Sequence, residues 1–324
     1  MSTGRYGRRP GWAIILTMRR VAEHRVLPGA IAAVAAPAGR ALEPAFADIA
    51  LTLARARARG ASLVVFPECA LGGYPGKVPG AEGNPASPPL LRLDGPEIAQ
   101  LVRLAGPTAV CVGFSEEAPG GPYSSAVCLS GDGVLGHHRK VHLPPSEIGV
   151  YEPGDGFAAF DTPVGRLGML ICYDKVFPES ARALADDGAE IIASMAAWPV
   201  CRVNPARRLK RDRQTLHFDL IDRTRAIENQ VVWVSANQTG TLGDLRFLGH
   251  AKVVDPEGRV LARTGARPGL AAARLDARGA VSASRTLLSH LADRRPAAYR
   301  DHAARRADAS PVETPIASPA LAAA

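Results

Sequence analysis

A cysteine at the end of an apolar stretch is the residue of this sequence best placed for chemistry. Cys172 ends the apolar residues 166–172, which are predicted to form a strand, and Pro178, a favourable first residue of a helix, follows soon after. A junction between a strand and a helix presents a side chain to ligands, and the N–H groups of the helix terminus favour a thiolate, which is a nucleophile. The alternative is a small apolar side chain packed in the core, as unpaired cysteines often are. Whether Cys172 is a nucleophile or a core residue therefore depends on which residues could act together with its thiol.

Two charged residues are candidate partners because each lies at the end of a predicted buried strand. Glu68 comes shortly after residues 62–66 and precedes a loop rich in glycine and proline, and Lys140 ends the predicted strand of residues 134–140. Either residue alone has the alternative of an ordinary cap or a solvated charge. Lysine is rare in this chain, however, with five lysines among 39 basic residues. A lysine kept beside Arg139 therefore indicates a need for a compact ammonium, which a guanidinium does not replace.

Two further patterns resemble cofactor sites but have the wrong context. Residues 131–136 match the dinucleotide-binding pattern Gly-x-Gly-x-x-Gly, yet an Asp-Gly pair between two predicted strands indicates a hairpin turn, and no helix follows. His137, His138 and His142 lack the spacing of a usual zinc site, and adjacent residues on a strand point to opposite faces. The sequence thus predicts no organic cofactor and no metal.

Strands and helices alternate along the chain, which predicts a layered α/β domain. A helix of residues 45–59 closed by Gly60 leads into a strand of residues 62–66, and a helix of residues 178–187 closed by Gly188 leads into a strand of residues 189–194. This repeated unit indicates two similar halves. The other predicted elements are a long polar helix over residues 206–229 and strands over residues 30–36, 108–114, 125–129, 134–140, 166–172, 231–236, 251–254 and 259–263.

Length and composition bound the class of protein. The 324 residues allow one or two domains, the 47% hydrophobic and 22% charged residues are ordinary for a globular protein, and no apolar run is long enough to cross a bilayer, so we expect a soluble protein. The net charge of +8 comes mostly from scattered arginines without interleaved aromatic residues, which argues against nucleic-acid binding. Five cysteines without paired metal spacing, and no convincing secretory signal, predict a reduced, cytoplasmic location.

The expected domain covers residues 28–301. Residues 1–27 lack a coherent period and are interpreted as a poorly ordered extension, with Met18 as an alternative initiator. Residues 302–324 are rich in alanine and proline and are expected to form a disordered tail.

Three motifs, in this order, are similar to those of the nitrilase superfamily of carbon-nitrogen hydrolases. They are Phe66-Pro67-Glu68 with Gly73-Tyr74-Pro75, then His138-Arg139-Lys140-Val141-His142-Leu143, and then Gly168-Met169-Leu170-Ile171-Cys172-Tyr173-Asp174 with Phe177-Pro178-Glu179. The resemblance covers roughly residues 29–300 and includes residues 225–230, 235–238 and 249–250.

This resemblance implies a fold and a set of roles. The fold is an α/β architecture, a four-layer α-β-β-α sandwich of two mixed sheets, and the Glu-Lys-Cys triad of the superfamily falls on Glu68, Lys140 and Cys172. Glu68 would act as the base towards the thiol, and Lys140 with the backbone N–H of Tyr173 would stabilise the charge that develops on the attacked atom. Glu147 matches a second glutamate that orients the lysine and the substrate. The resemblance implies no cofactor and no metal, and relatives commonly form homodimers or higher homo-oligomers.

The residues after the cysteine favour an amide as substrate. True nitrilases of the superfamily usually have Trp-Glu there, whereas Tyr173-Asp174 is similar to the amidase and carbamoylase branches. The expected reaction is therefore hydrolysis of a small amide or carbamoyl amide through a cysteine thioester. The alternatives are a nitrilase that converts a nitrile to an acid and ammonia, an amide-forming acyl transferase, and a non-catalytic binding scaffold.

Three aromatic residues are predicted to contact the substrate, whereas a contact known from many relatives is not expected at Val176. Tyr74, Tyr173 and Trp198 are expected near the substrate, with simple packing as the alternative for Tyr74 and Trp198. Many relatives have an arginine where this chain has Val176, so a carboxylate-binding arginine does not carry over. Lys175 is expected to be an exposed lysine at a helix start, with an anion contact as the alternative.

Overall fold

Strands and helices interleave along the whole described part of the chain. A computed structural model of the protein describes residues 29–76 and 87–299. The strands are β1 (Ala30–Ala36), β2 (Ala61–Val65), β3 (Leu90–Leu91), β4 (Ala109–Ala118), β5 (Gly121–Ser130), β6 (Gly133–Arg139), β7 (Ala159–Thr162), β8 (Gly165–Ile171), β9 (Ile191–Ala196), β10 (Val232–Leu242), β11 (Leu245–Leu248), β12 (Lys252–Val254), β13 (Val260–Arg263) and β14 (Gly269–Arg274). The helices are α1 (Leu42–Arg57), α2 (Pro96–Ala105), α3 (Pro178–Asp186), α4 (Arg213–Asn229) and α5 (Ala277–Ser284).

Hydrogen bonds connect the strands into two halves that meet at one seam. The strand order is β6-β5-β4-β2-β1-β10-β9-β8-β7, with parallel pairing of β4, β2 and β1 in one half and of β10, β9 and β8 in the other. At the seam, β1 and β10 pair only through Ala35 with Asn237 and Ala36 with Gln238, at the carboxyl ends of the parallel run. The two halves are therefore free to diverge from this seam and to pack face to face.

The buried side chains form three main layers, as expected for a sandwich. Along β2, Leu63 and Val65 face the core between the two halves, while Val64 between them packs against α1 and α2. On the other half, Leu170 of β8 packs beneath α3 and α4. Helices thus cover the outer face of each half, and the predicted α-β-β-α architecture of two mixed sheets is confirmed.

Several predicted boundaries differ from the structure by a few residues, and at α4 and β8 the shift has a clear local cause. The polar helix begins at Arg213 and not near residue 206, because the carboxylate of Asp212 accepts the Gln214 N–H and caps the helix there. The strand predicted to end in Cys172 ends at Ile171, because Cys172 opens a turn of 3-10 helix over Cys172–Val176.

Several expectations concern residues that the structure does not describe. The N-terminal extension of residues 1–27, the alternative initiator Met18 and the tail of residues 302–324 lie outside the described residues. Among the helices of residues 29–76 and 87–299, none is both long enough and apolar enough to span a membrane.

Candidate active site

Glu68 is fixed at the carboxyl end of β2 by backbone contacts from three other segments. Its Oε2 accepts the Ala197 N–H at 2.8 Å, and its backbone carbonyl accepts an N–H of the Gln238 side chain at 2.8 Å. Gly113 of β4 passes so close that a Cβ there would lie 2.8 Å from the Glu68 Cα. The buried carboxylate therefore has one defined position.

Lys140 joins Glu68 to a second glutamate. Its ammonium donates to Glu68 Oε1 at 2.8 Å and to Glu147 Oε1 at 2.6 Å, and all three side chains are buried. Burial opposes the charge on Lys140, but the two carboxylates outweigh burial and raise its pKa well above the ordinary value. Lys140 is thus a fixed cation in a dry environment, where a charge acts more strongly than in water.

Glu147 lies in the loop after β6 and has a second partner. The Tyr74 hydroxyl donates to its Oε1 at 2.6 Å, the same oxygen that receives the Lys140 ammonium. Burial raises the pKa of Glu147 to about 7, with Lys140 opposing and Glu68 adding to this rise. Tyr74 therefore contacts the carboxylate that orients Lys140 in addition to lining the cavity described below.

Cys172 sits on a strained backbone directly after β8. Its φ of 47° lies in the left-handed region, which is rare for residues other than glycine and costs about 1–3 kcal/mol unless the surroundings impose it. Burial and the charge of Glu68 raise the pKa of its thiol well above the ordinary value, although Lys140 lowers it. Burial beside a carboxylate thus favours the protonated thiol, and a base is needed to form the thiolate nucleophile.

Asp174 ties the turn of Cys172 to the loop of Lys140. Its carboxylate accepts the N–H groups of Ile171 at 3.1 Å, Val141 at 3.2 Å and His142 at 2.9 Å. Burial opposes its charge, but the imidazoles of His138 and His142 and these N–H groups hold the pKa of the carboxyl well below its usual range. Sequence reasoning used Asp174 only as a sign of substrate class and missed this structural role.

The thiol opens into a cavity of about 630 Å³. Tyr74, Tyr173 and Trp198, the three residues expected near the substrate, all line it together with Cys172. The Trp198 ring is further held by a hydrogen bond that its Nε1–H donates to Gln214 Oε1 of α4 at 2.9 Å. The structure thus brings the seven predicted site residues together: Cys172 lines the cavity with the three aromatic residues, and Glu68, Lys140 and Glu147 lie close enough to the thiol to shift its pKa.

Lys175 is not the exposed lysine that the sequence suggested. Its side chain is fully buried, donates to Asp222 Oδ1 at 2.8 Å and lies 3.3 Å from the ring centroid of Phe218. Lys252 donates to the other oxygen of Asp222 at 2.6 Å. From the 3-10 turn before α3, the Lys175 side chain reaches Asp222 and Phe218 of α4 and is shielded from solvent. This buried network was not found from sequence, since its members are 47 and 77 residues apart from Lys175.

The two patterns set aside in the sequence lie outside the cavity. Residues 131–136 form the turn and the start of the hairpin between β5 and β6. In the described ranges, residues 29–76 and 87–299, no cluster of three or more His, Cys, Asp or Glu side chains has an arrangement that could hold a metal ion. His138 and His142 are instead partners of Asp174.

Comparison with known proteins gives matches of sequence and of fold. The family model described as "Carbon-nitrogen hydrolase" matches residues 30–284. An (R)-stereoselective amidase of Pseudomonas sp. is 36% identical over 208 residues, which are 63% of this chain and 69% of that protein. A nitrilase of Pyrococcus abyssi is 36% identical over 140 residues, which are 43% of this chain and 48% of that protein, so this match spans about half of the relative's length.

Solved structures share the fold over most of the chain. One variant of the amidase from Nesterenkonia sp. AN1, described as the result of Michael addition of acrylamide at its active site cysteine, has a TM-score of 0.67 and 25% sequence identity. That match covers 85% of this chain and 99% of the other.

Proposed function

Because the chain belongs to the carbon-nitrogen hydrolase family, as the match over residues 30–284 shows, we propose that it hydrolyses a small amide with Cys172 as nucleophile, Glu68 as general base and acid, and Lys140 as the electrostatic partner. The observation that carries this proposal is the buried Lys140 ammonium, held by Glu68 and Glu147 beside a thiol at the base of an open cavity. Burial of three charges there costs stability and is expected at a functional site.

The first half-reaction forms a thioester. The Cys172 sulfur attacks the amide carbon while Glu68 takes the thiol proton, which is needed because the pKa of Cys172 is raised by burial beside Glu68. The oxygen of the amide gains the negative charge, which the Lys140 ammonium and the backbone N–H of Tyr173 stabilise. Glu68 then returns the proton to the leaving nitrogen, the C–N bond breaks, and ammonia or an amine departs.

The second half-reaction releases the acid. Glu68, again ionised, removes a proton from a water molecule that attacks the thioester carbon, and the same oxygen regains its charge near Lys140. The C–S bond breaks and Glu68 gives its proton to the Cys172 sulfur. The carboxylate stays in place during these transfers, because Lys140 donates to its Oε1 and the Ala197 N–H donates to its Oε2. The protein, the substrate and one water molecule account for all atoms and protons of the two half-reactions.

A panel of substrates tests this function. The purified protein is incubated with amides, carbamoyl compounds and nitriles, and ammonia release is measured, with Cys172→Ala as the control. We expect release from amides and none from the variant. Release from nitriles alone would replace the proposal by a nitrilase, and transfer of the acyl group to added hydroxylamine or amine in preference to water would replace it by an acyl transferase.

Location and assembly also remain proposals. Support for a cytoplasmic protein comes from the five cysteines, all of which are unpaired thiols in the structure. A homodimer or higher homo-oligomer is proposed on the resemblance to the superfamily alone. Gel filtration with light scattering tests it, and a monomer across a wide range of protein concentrations would refute it.

A further inference from the structure

The cavity that Cys172 lines has an apolar side. Val176, in the same turn as Cys172, lines the cavity with Ile221 of α4 and Leu245 of β11. The rings of Tyr173 and Trp198 line it as well. The side chains of Val176, Ile221 and Leu245 stabilise an apolar group by removing it from water, but they offer no hydrogen bond to a carboxylate.

The charged side chains of this wall lie at the cavity rim. In residues 29–76 and 87–299 the cavity is lined by Arg202, Asp244 and the exposed His217 in addition to uncharged groups. Arg202 donates to Asp244 Oδ2 at 2.7 Å, and more than half of each side chain is exposed. The guanidinium is therefore solvated and already paired, so it gives an incoming carboxylate little additional stabilisation.

Two cations near the nucleophile are committed to other partners. Lys140 is bound by both Glu68 and Glu147 and is needed for the chemistry. Lys175 precedes Val176 in the chain, yet it does not line the cavity, because its ammonium is turned to Asp222. Among the residues that the structure describes, none thus offers a free counter-charge to a carboxylate buried against Val176, and such burial is strongly unfavourable.

We propose that the pocket selects amides whose acyl group is uncharged and apolar, with room for an aromatic ring, and that Val176 determines specificity against acyl groups that carry a carboxylate. This inference rests on the proposed amidase function. The volume of about 630 Å³ is in the range of pockets that enclose a ligand much larger than a two-carbon amide. The predicted selection lies in the acyl pocket and leaves the triad chemistry unchanged.

The test compares two amides that differ at the far end of the acyl chain. The substrates are 3-phenylpropanamide and succinamate, the half-amide of succinic acid, and kcat/KM is measured for each by ammonia release. We expect the wild-type protein to prefer the phenyl compound by about 100-fold or more, because an unpaired carboxylate in an apolar pocket is rejected more strongly than a change in size. This ratio requires no variant to fold.

Two matched substitutions of Val176 then test whether this residue determines the preference between the two amides. Val176→Arg adds a cation and is expected to raise kcat/KM for succinamate by about tenfold or more relative to 3-phenylpropanamide. Val176→Gln has a long polar side chain without charge, so it is expected to lower the activity with 3-phenylpropanamide without a gain for succinamate.

Each contrary outcome is distinct. Wild-type protein that hydrolyses both amides equally well, or prefers succinamate, overturns the inference while leaving the amidase function intact. An equal gain for succinamate in Val176→Gln shows that charge at this position is not the determinant, and it overturns the role of Val176. If no amide of any kind releases ammonia, the proposed function fails, and the inference fails with it.

Discussion

Glu147 holds Lys140 by charge only while its own carboxylate is ionised. Its pKa is raised by burial to about 7, so the carboxyl gains a proton as the pH falls through that value and its attraction for the Lys140 ammonium is lost. We therefore expect kcat/KM to fall on the acid side with an apparent pKa near 7. Measurement of kcat/KM between about pH 5 and pH 9 detects this fall in activity.

The variant Glu147→Gln separates this step from other titrations. Glutamine is neutral at every pH, so the acid step near pH 7 should disappear, and the plateau should be lower by about 100-fold because Lys140 is less well oriented. Glu117→Gln, which changes an exposed glutamate, should keep the wild-type profile. An acid step of unchanged position in Glu147→Gln would assign the titration to another group.

At this scale the sequence predicts residue types well and their surroundings poorly. Glu68, Lys140 and Cys172 were found because each lies where a strand ends and matches a motif, and the sheet brings such ends together. The pKa of Cys172, the burial of Lys175 and the role of Asp174 could not be predicted, because each depends on which distant side chains pack around it. Asp222 contacts Lys175, and Asp174 contacts the Val141 N–H, only because the tertiary fold brings these residues together.

Strand β4 passes close to Glu68, the proposed base, through Gly113, a residue without a side chain. A Cβ on Gly113 would lie 2.6 Å from the Cys69 nitrogen and 2.8 Å from the Glu68 Cα. Gly113→Ala should therefore displace Glu68, lower kcat/KM by about 100-fold and destabilise the fold by about 1–3 kcal/mol. Kinetics and thermal unfolding measure both effects.

Gly156 provides the matched control for this substitution. A Cβ on Gly156 meets nothing within 4 Å, so Gly156→Ala should leave activity and stability near the wild-type values. Wild-type kinetics in Gly113→Ala would mean that the contact between β4 and the segment of Glu68 does not fix the base.

Helix α4 supports the turn of the nucleophile through the buried network of Asp222. The Asp222 carboxylate accepts hydrogen bonds from the ammonium groups of Lys175 and Lys252, at 2.8 and 2.6 Å, and from the Trp233 Nε1–H at 2.9 Å. Asp222→Asn leaves two buried ammonium groups without this counter-charge, so we expect the free energy of unfolding to fall by about 3–5 kcal/mol. Denaturant unfolding measures the loss.

Asp219, one turn earlier on α4, is the control for a carboxylate near the same lysine. It lies 3.0 Å from the Lys252 ammonium but is partly exposed, so Asp219→Asn should cost about 1 kcal/mol or less. Equal losses in the two variants would mean that the burial of Asp222 is not what makes it important.

On the scale of the whole molecule, the repeated order of helix, glycine and strand predicted two similar halves of a layered α/β domain. The α-β-β-α sandwich was implied by the motif resemblance. The elements not predicted from the sequence are the helices α2 and α5 and the strands β3, β7, β11 and β14. Strand β14 pairs with β1, which is far away in the sequence and gives no local signal, whereas β7 is a four-residue strand that pairs with the next strand, β8.

The net charge of +8 is another property of the whole molecule, and many of the arginines that produce it have acidic partners. Arg166 pairs with Asp161 and Asp187, and Arg294 pairs with Asp186. We expect no binding to a short labelled DNA duplex at physiological salt in fluorescence anisotropy. Binding that weakens steeply as salt rises would instead reveal a phosphate-binding surface.

The central claim, that Cys172 is the nucleophile, is tested most directly by mass spectrometry of the acyl-enzyme. The protein is mixed with 3-phenylpropanamide, quenched in acid and digested, and the peptides that carry the five cysteines are weighed. We predict the mass of the acyl group on the Cys172 peptide alone, and in Cys172→Ala the loss of both this mass and about 10⁴-fold or more of the turnover. Acyl mass on another cysteine, or turnover retained by a folded Cys172→Ala protein, would contradict the account.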